Sequence, residues 1–174
     1  MPARCGQRTM RVPSDAREYT AAKLRPSATM TSPITKAGLL EFMRRHSIGV
    51  ETSVSSSGVP QAAAVGFVVT EHFEVFFDTV DSTRKAANLR NNAQIAFVIG
   101  GFSDGDERTV QFQGIVDEPS GAELERLKEL YFARFPDGRE RLKWPGLVYF
   151  RARPTWLRFS DFTKAPPEIT ELDF

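Results

Sequence analysis

The feature that most restricts the fold of this chain is a succession of three short β-rich runs joined by turns too short to hold a helix. Residues 48–55 (IGVETSVS) alternate with period two. Ser56-Ser57-Gly58 reads as a turn, residues 60–69 (PQAAAVGFVV) as a second strand and residues 73–78 (FEVFFD) as a third. Successive side chains of a strand point to opposite faces, so a period of two marks strands. Parallel neighbours need a long crossover connection. The short links here leave an antiparallel meander.

The flanking sequence supplies the remaining elements. Ser32-Pro33 has the form of a helix start, a capping side chain followed by proline at the first helical position. Leu39, Leu40, Phe42 and Met43 give that helix one apolar flank, and Arg44-Arg45-His46 suit its negative end. Ser82 is placed to cap a short helix, TRKAANLRNN. Residues 94–100 (QIAFVIG) read as a fourth strand, 101–106 as a Gly/Asp loop, and 108–116 (RTVQFQGIV) as a fifth strand. Pro119-Ser120-Gly121 opens the clearest helix, with Leu124, Leu127, Leu130, Tyr131 and Phe135 on one side and Pro136-Asp137-Gly138 at its end. Residues 147–153 and 155–159 close the series as strands split by Pro154. Strands and crossover helices do not alternate regularly, which argues against a doubly wound sheet. The count is six or seven short strands with helices between them, and the expected fold class is mainly β (α+β), a small antiparallel barrel with peripheral helices.

Composition narrows the function. The chain has 174 residues and a formal charge of +1, which gives no footprint for nucleic acid. It lacks the long apolar run that a membrane helix needs. One cysteine, Cys5, excludes an internal disulfide framework and a cysteine-rich zinc site, and two histidines, His46 and His72, argue against a multi-histidine metal centre. The expected location is the cytoplasm. Residues 1–31 are expected to be a disordered or mis-started tail, residues 32–163 the barrel domain and residues 164–174 a C-terminal arm. The first 29 residues are Arg-rich, with six basic residues against two acids. That composition also carries a faint transit-peptide character.

The chemistry concentrates where the third strand meets the short helix, in FFDTVDSTRKAANL. Arg84 and Lys85 fall in the first turn of that helix, where its dipole disfavours cations. A bound anion removes the conflict. It would accept hydrogen bonds from Ser82, Thr83 and free backbone N–H groups and pair with both cations. The alternative is that both side chains reach away to solvent. On the second strand Gln61, Ala62, Ala63, Ala64 and Gly66 are small or polar, as suits a flat ring laid on bare backbone, or equally tight packing under a helix. Thr109, Gln111 and Gln113 share one face of the fifth strand, either to read the edge of a heterocycle or to face solvent. His46 is expected to cap a helix end and His72 to lie exposed in a turn. Asp104 and Asp106 offer too few oxygens for calcium. Trp144 and Trp156 read as core or interface anchors. No residue presents itself as a catalytic acid or base.

The run VFFDTVDSTRKAANLRNNAQIAFVIGG followed by ERTVQFQGIVDEP resembles the FMN-binding split barrel of the pyridoxamine 5'-phosphate oxidase-like proteins. The resemblance spans about residues 33–162. It implies a six-stranded split β-barrel, a homodimer with cofactor at the subunit interface, and two-electron transfer between flavin and a small molecule. It places the FMN phosphate on Thr83, Arg84 and Lys85, and the ring on the backbone around Val65, Gly66 and Phe67. Asp78 and Thr79 match the pair lining the site, Thr109 or Gln111 a flavin-edge contact, and Trp156 a residue reaching toward the partner's flavin. The Arg and Lys that authentic oxidases carry on the second strand are replaced by Ala63 and Val68, which argues against pyridoxamine-phosphate oxidation itself. A non-catalytic flavin carrier, or a relative holding a deazaflavin or haem, stands as the alternative.

Overall fold

The structure, a computed structural model, describes residues 33–101 and 103–174. Its elements run α1 (Lys36–Arg45), β1 (Ile48–Val54), β2 (Pro60–Val69), β3 (Val75–Val80), α2 (Arg84–Asn91), β4 (Gln94–Gly100), β5 (Arg108–Asp117), α3 (Gly121–Arg134), α4 (Gly138–Arg141), β6 (Leu147–Asp161) and β7 (Glu168–Asp173). All strand pairings are antiparallel, in the order β3-β2-β1-β4-β5-β6-β7. A further pairing of β3 with β6 closes six strands into a barrel. The expected fold class is therefore the observed one.

Among the boundaries that differ from the expected ones, three have a local reason. Helix α1 begins at Lys36 because Thr35 accepts from the Gly38 N–H at 3.0 Å; the expected cap, Ser32, lies outside the described residues, as does the tail 1–31. Pro154 does not divide the last strand. The register with β5 shifts between Gln113 and Gly114, where β6 carries Thr155 as an extra, unpaired residue, so the missing N–H of the proline falls where the ladder is already irregular. The expected C-terminal arm carries β7, which pairs with the second half of β6 from Trp156 to Asp161.

The barrel interior is aromatic. Phe97 meets Phe77 at 5.6 Å and Phe112 at 5.8 Å edge-to-face, and Phe77 stacks on Phe150 at 5.8 Å. Such pairs add to the area each ring buries. Helix α1 contributes Leu39, Phe42 and Met43 to this core. Helix α3 lies outside the barrel and packs Leu127, Tyr131 and Phe132 with Val68, Phe76 and Tyr149.

Two features position the site. First, β2 pairs with β3 only through Phe67, Val68 and Val69, so Pro60–Gly66 is paired on the β1 side alone. Beyond that point β3 turns to β6, and the barrel is split there. Second, the outward face of β1, β2, β4 and β5 is largely apolar. Across it run Ala64, Val50, Val98 and Gln111, then Ala62, Thr52, Ala96, Gln113 and Trp156. Val98 and Ile115 on this face are 38% and 43% exposed. No helix among the described residues is long and apolar enough to cross a membrane.

Candidate functional site

The first turn of α2 stands beside the unpaired edge of β2. A turn carries the chain there, with the Asp81 N–H donating to Gly146 O at 2.7 Å and the Thr83 N–H to Val80 O at 3.0 Å. The helix therefore starts one residue later than expected. Thr83, not Ser82, is the cap and accepts from the Ala86 N–H at 3.3 Å; Ser82 is exposed in the turn. Thr83 Oγ1 also lies 3.3 Å from Thr79 Oγ1. Arg84 is exposed, Lys85 is half-buried, and the first turn holds no acid. Two cations thus crowd the positive end of a helix dipole.

These residues form one wall of a cleft of about 400 Å³. The facing wall is built by Glu51 and Ser53 of β1 with Gln61, Ala62 and Ala63 of β2. Asn88 of α2 binds the walls together, donating to Ser53 Oγ at 3.3 Å and to Gln61 Oε1 at 3.0 Å. Small side chains on β2 leave its backbone edge open to the cleft. Glu51 is the unexpected member. It is 1% exposed, its Oε1 lies 3.8 Å from Lys85 Nζ, and its Oε2 has no hydrogen-bond partner. Burial pushes its pKa up to about 7, with the Lys85 charge pulling the other way.

Of the residues expected to bind cofactor, the structure gathers Thr83, Arg84 and Lys85 at this cleft, with Thr79 reaching it only through the Thr83 hydroxyl. The others lie elsewhere in the single chain. Val65 and Phe67 point into the barrel core. Gly66 faces helix α3, where an added Cβ would meet Phe135 at 3.2 Å. Asp78 turns to the same helix, accepting from Tyr131 Oη at 2.9 Å and from Arg141 Nε at 3.0 Å. Thr109 borders the 101–107 loop, and Gln111 and Trp156 lie on the outward apolar face. His46 caps α1, as expected, and His72 is exposed.

Sequence reasoning missed Glu51. Read by period, IGVETSV presents Val50, Thr52 and Val54 as its buried face. The barrel instead turns Gly49, Glu51 and Ser53 inward. The available signal was a glutamate in phase with a glycine and a serine, the small residues that suit a crowded barrel end.

Another cleft, of about 240 Å³, lies between α1, β2 and α3. Phe67, Val68, Val69, Leu130 and Ala133 make it apolar, and Arg44, Arg134 and His46 stand at it. Burial lowers the His46 pKa, Arg45 and Arg108 add to this, and Asp106 opposes it. The imidazole is therefore neutral near pH 7.

Comparison with known proteins agrees with this architecture. A family model described as pyridoxamine 5'-phosphate oxidase matches residues 35–161. No curated protein matches the chain. Among solved structures, a haem-binding protein from Mycobacterium smegmatis superposes with a TM-score of 0.69 at 13% identity, covering 82% of this chain and 60% of that one. The chain thus spans less than two thirds of that protein's length. The haem storage protein HutZ from Vibrio cholerae gives 0.61 at 16% identity, covering 71% and 91%. General Stress Protein 26 from Bacillus anthracis gives 0.59 at 19% identity, covering 79% and 98%. At these identities the likeness is one of fold.

Proposed function

Because the chain belongs to the pyridoxamine 5'-phosphate oxidase family, we propose that it holds FMN in the cleft between β2 and α2 and passes two electrons between the flavin and a small molecule. One observation carries this reading: Arg84 and Lys85 at an acid-free helix start, facing a β-strand edge with no partner strand. The residues present fit the cofactor. The Thr83 hydroxyl, the Arg84 guanidinium and the Lys85 ammonium supply the donors and charge that a phosphate ester needs. The free backbone groups of Gln61–Gly66 supply donors and acceptors for a ring edge, and Ala62 and Ala63 leave room for it. The flavin, when bound, supplies the redox chemistry; the protein orients it and shields it from water. With Ala63 and Val68 in place of basic residues, the phosphate depends on the α2 cations alone.

The active form in this reading is a homodimer. Two copies would pack their outward β1-β2-β4-β5 faces, burying Val98 and Ile115 and bringing Gln111, Gln113 and Trp156 of one copy toward the other's cleft. Residues scattered in a single chain would then serve one site.

The test is direct. Purified protein is scanned for flavin absorption and titrated with FMN. Saturable binding at one FMN per chain supports the reading, and loss of the yellow colour with NADH or NADPH separates an enzyme from a passive carrier. A protein that takes up no FMN overturns it. A second reading, haem binding, is favoured by the apolar α1-α3 cleft with neutral His46 between Arg44 and Arg134, and by the haem proteins that share the fold. A Soret band on adding haemin, lost in His46→Ala, would select it.

A further inference from the structure

We propose that Glu51 is a specificity-determining residue of the β2-α2 cleft. Its carboxylate stands beside Lys85, where an ester phosphate would come, and it gives up its charge by taking up a proton when a phosphate binds. This inference rests on the phosphate-site reading above and deepens it.

The geometry is unusual for a glutamate. The side chain is almost wholly buried, yet one oxygen approaches a lysine only at 3.8 Å and the other accepts no hydrogen bond. A buried carboxylate without donors is costly, and structures rarely keep one without a reason. The neighbours leave little choice of partner. On β2 the register partner is Ala63, and on β4 it is Phe97, both uncharged. Ser53 and Gln61 already receive the Asn88 amide. From α2 the charged groups at the cleft are Lys85 and, at the rim, Arg84. Among the described residues these are the charged groups facing Glu51 across the cleft.

A phosphate drawn to Lys85 would meet the Glu51 carboxylate as a like charge. Once protonated, the same carboxyl no longer repels, and its free oxygen becomes an O–H donor to the phosphate. The proton comes from solvent and no covalent bond changes. Glu51 therefore favours ligands bearing a phosphate monoester under mildly acidic to neutral conditions. It is neutral toward the same ring without the phosphate.

The size of the effect follows from the midpoint near pH 7. Requiring a proton at Glu51 weakens binding about tenfold between pH 6 and pH 8. The phosphate ester, with a second pKa near 6, works about twofold in the other direction, and does so in any variant.

The test titrates FMN and riboflavin into native protein and Glu51→Gln at pH 6, 7 and 8. The expected result is that the native-to-variant ratio of FMN dissociation constants rises about tenfold from pH 6 to pH 8, while the riboflavin ratio stays flat. An FMN ratio that does not change with pH overturns the role of Glu51 and leaves the phosphate site standing. Failure of both proteins to bind FMN at any pH overturns the phosphate site itself, and this inference with it. Calorimetry of native protein at pH 8, in buffers of different ionisation enthalpy, serves if the variant does not fold. Uptake of close to one proton per FMN is expected, and no uptake refutes the proposal.

Discussion

The Tyr131 hydroxyl donates to Asp78 Oδ1 at 2.9 Å, joining the middle of β3 to the C-terminal part of helix α3, 53 residues further along the chain. Arg141 completes the knot, with its Nε at 3.0 Å from Asp78 Oδ2 and its Nη2 at 3.2 Å from the Tyr131 oxygen. Burial and the neighbouring Asp78 charge raise the Tyr131 pKa, so the phenol stays a donor at all ordinary pH. Asp78 thus fastens α3 and α4 to the barrel and does not face the α2 cleft.

Asp78→Ala is accordingly expected to be a stability variant. It strands a buried phenol and a mostly buried guanidinium, which costs about 2–4 kcal/mol. FMN affinity of the folded variant should stay within about threefold of native. Denaturant melts and FMN titration check both halves, and a large affinity loss without loss of stability would move Asp78 back into the cofactor site.

Arg84 and Lys85 should behave in the opposite way. Each charge-assisted contact to a phosphate is worth about 1.5–3 kcal/mol, so Arg84→Ala with Lys85→Ala should weaken FMN binding at least a hundredfold. Riboflavin, lacking the phosphate, should lose far less. Removing two cations from the positive end of a helix favours the fold, while Glu51 losing its nearby cation works against it, so stability should fall far less than FMN affinity. Equal losses for the two ligands would show that the phosphate sits elsewhere.

Glu51 makes a prediction that needs no ligand. Its pKa is 4.5 in an unfolded chain and about 7 in the native protein. Between those values the native state holds a proton that the unfolded state has released, so stability falls as pH rises, by about 1.4 kcal/mol per pH unit. The loss sums to roughly 3 kcal/mol between pH 4.5 and pH 7. Comparing urea melts of native protein and Glu51→Gln at pH 5 and pH 7.5 isolates this contribution. Over that interval the gap between the two proteins should move by about 2.5 kcal/mol in favour of the variant at the higher pH.

A second buried ionic cluster should be more costly to break. Arg151 is 8% exposed and binds Asp117 through Nε at 3.0 Å and Nη2 at 2.7 Å, and Glu123 through Nη1 at 2.7 Å, with Glu74 at 3.5 Å. Burial works to raise the Asp117 pKa, yet the Arg151 hydrogen bond and charge outweigh it and hold that pKa low. Arg151→Met leaves three acids without their shared partner and should cost about 3–5 kcal/mol at pH 7. The penalty should shrink only as pH falls below the ordinary carboxylate range, where Asp117 and Glu123, both held low by arginines, take up protons. A flat pH profile would mean that Arg151 acts by packing alone.

Much of this was legible in the sequence, and the remainder was hidden for identifiable reasons. Period-two runs and short links fixed the antiparallel barrel, because strand spacing is a local property. The Arg84-Lys85 first turn was legible because two cations there break a local electrostatic rule, although the cap falls on Thr83 and not on Ser82. Glu51 was not, since the burial phase of β1 is inverted by a barrel whose outward face is itself apolar. Asp78 was misplaced because its partner, Tyr131, is distant in sequence. Strand β7 escaped notice because neither Glu168-Thr170-Leu172 nor Ile169-Glu171-Asp173 forms an apolar face; pairing with β6 holds it.

The inverted phase of β1 has a consequence for assembly. Val50, Val98, Ala64 and Ile115 face outward on neighbouring strands, and a contiguous apolar face of this kind marks an interface. If two copies pack there, Val98→Glu buries a charge with no partner and should dissociate them at micromolar concentration. The lone chain should be little affected, because an exposed substitution usually changes stability by less than about 0.5 kcal/mol. Sedimentation should report native protein at twice the 19.5 kDa chain mass and the variant at that mass. In the proposed dimer Gln111 and Trp156 reach the partner's cleft only across this interface, so the separated variant should also lose FMN affinity. A native protein that sediments as a monomer while binding FMN tightly would place the whole cofactor site within one chain.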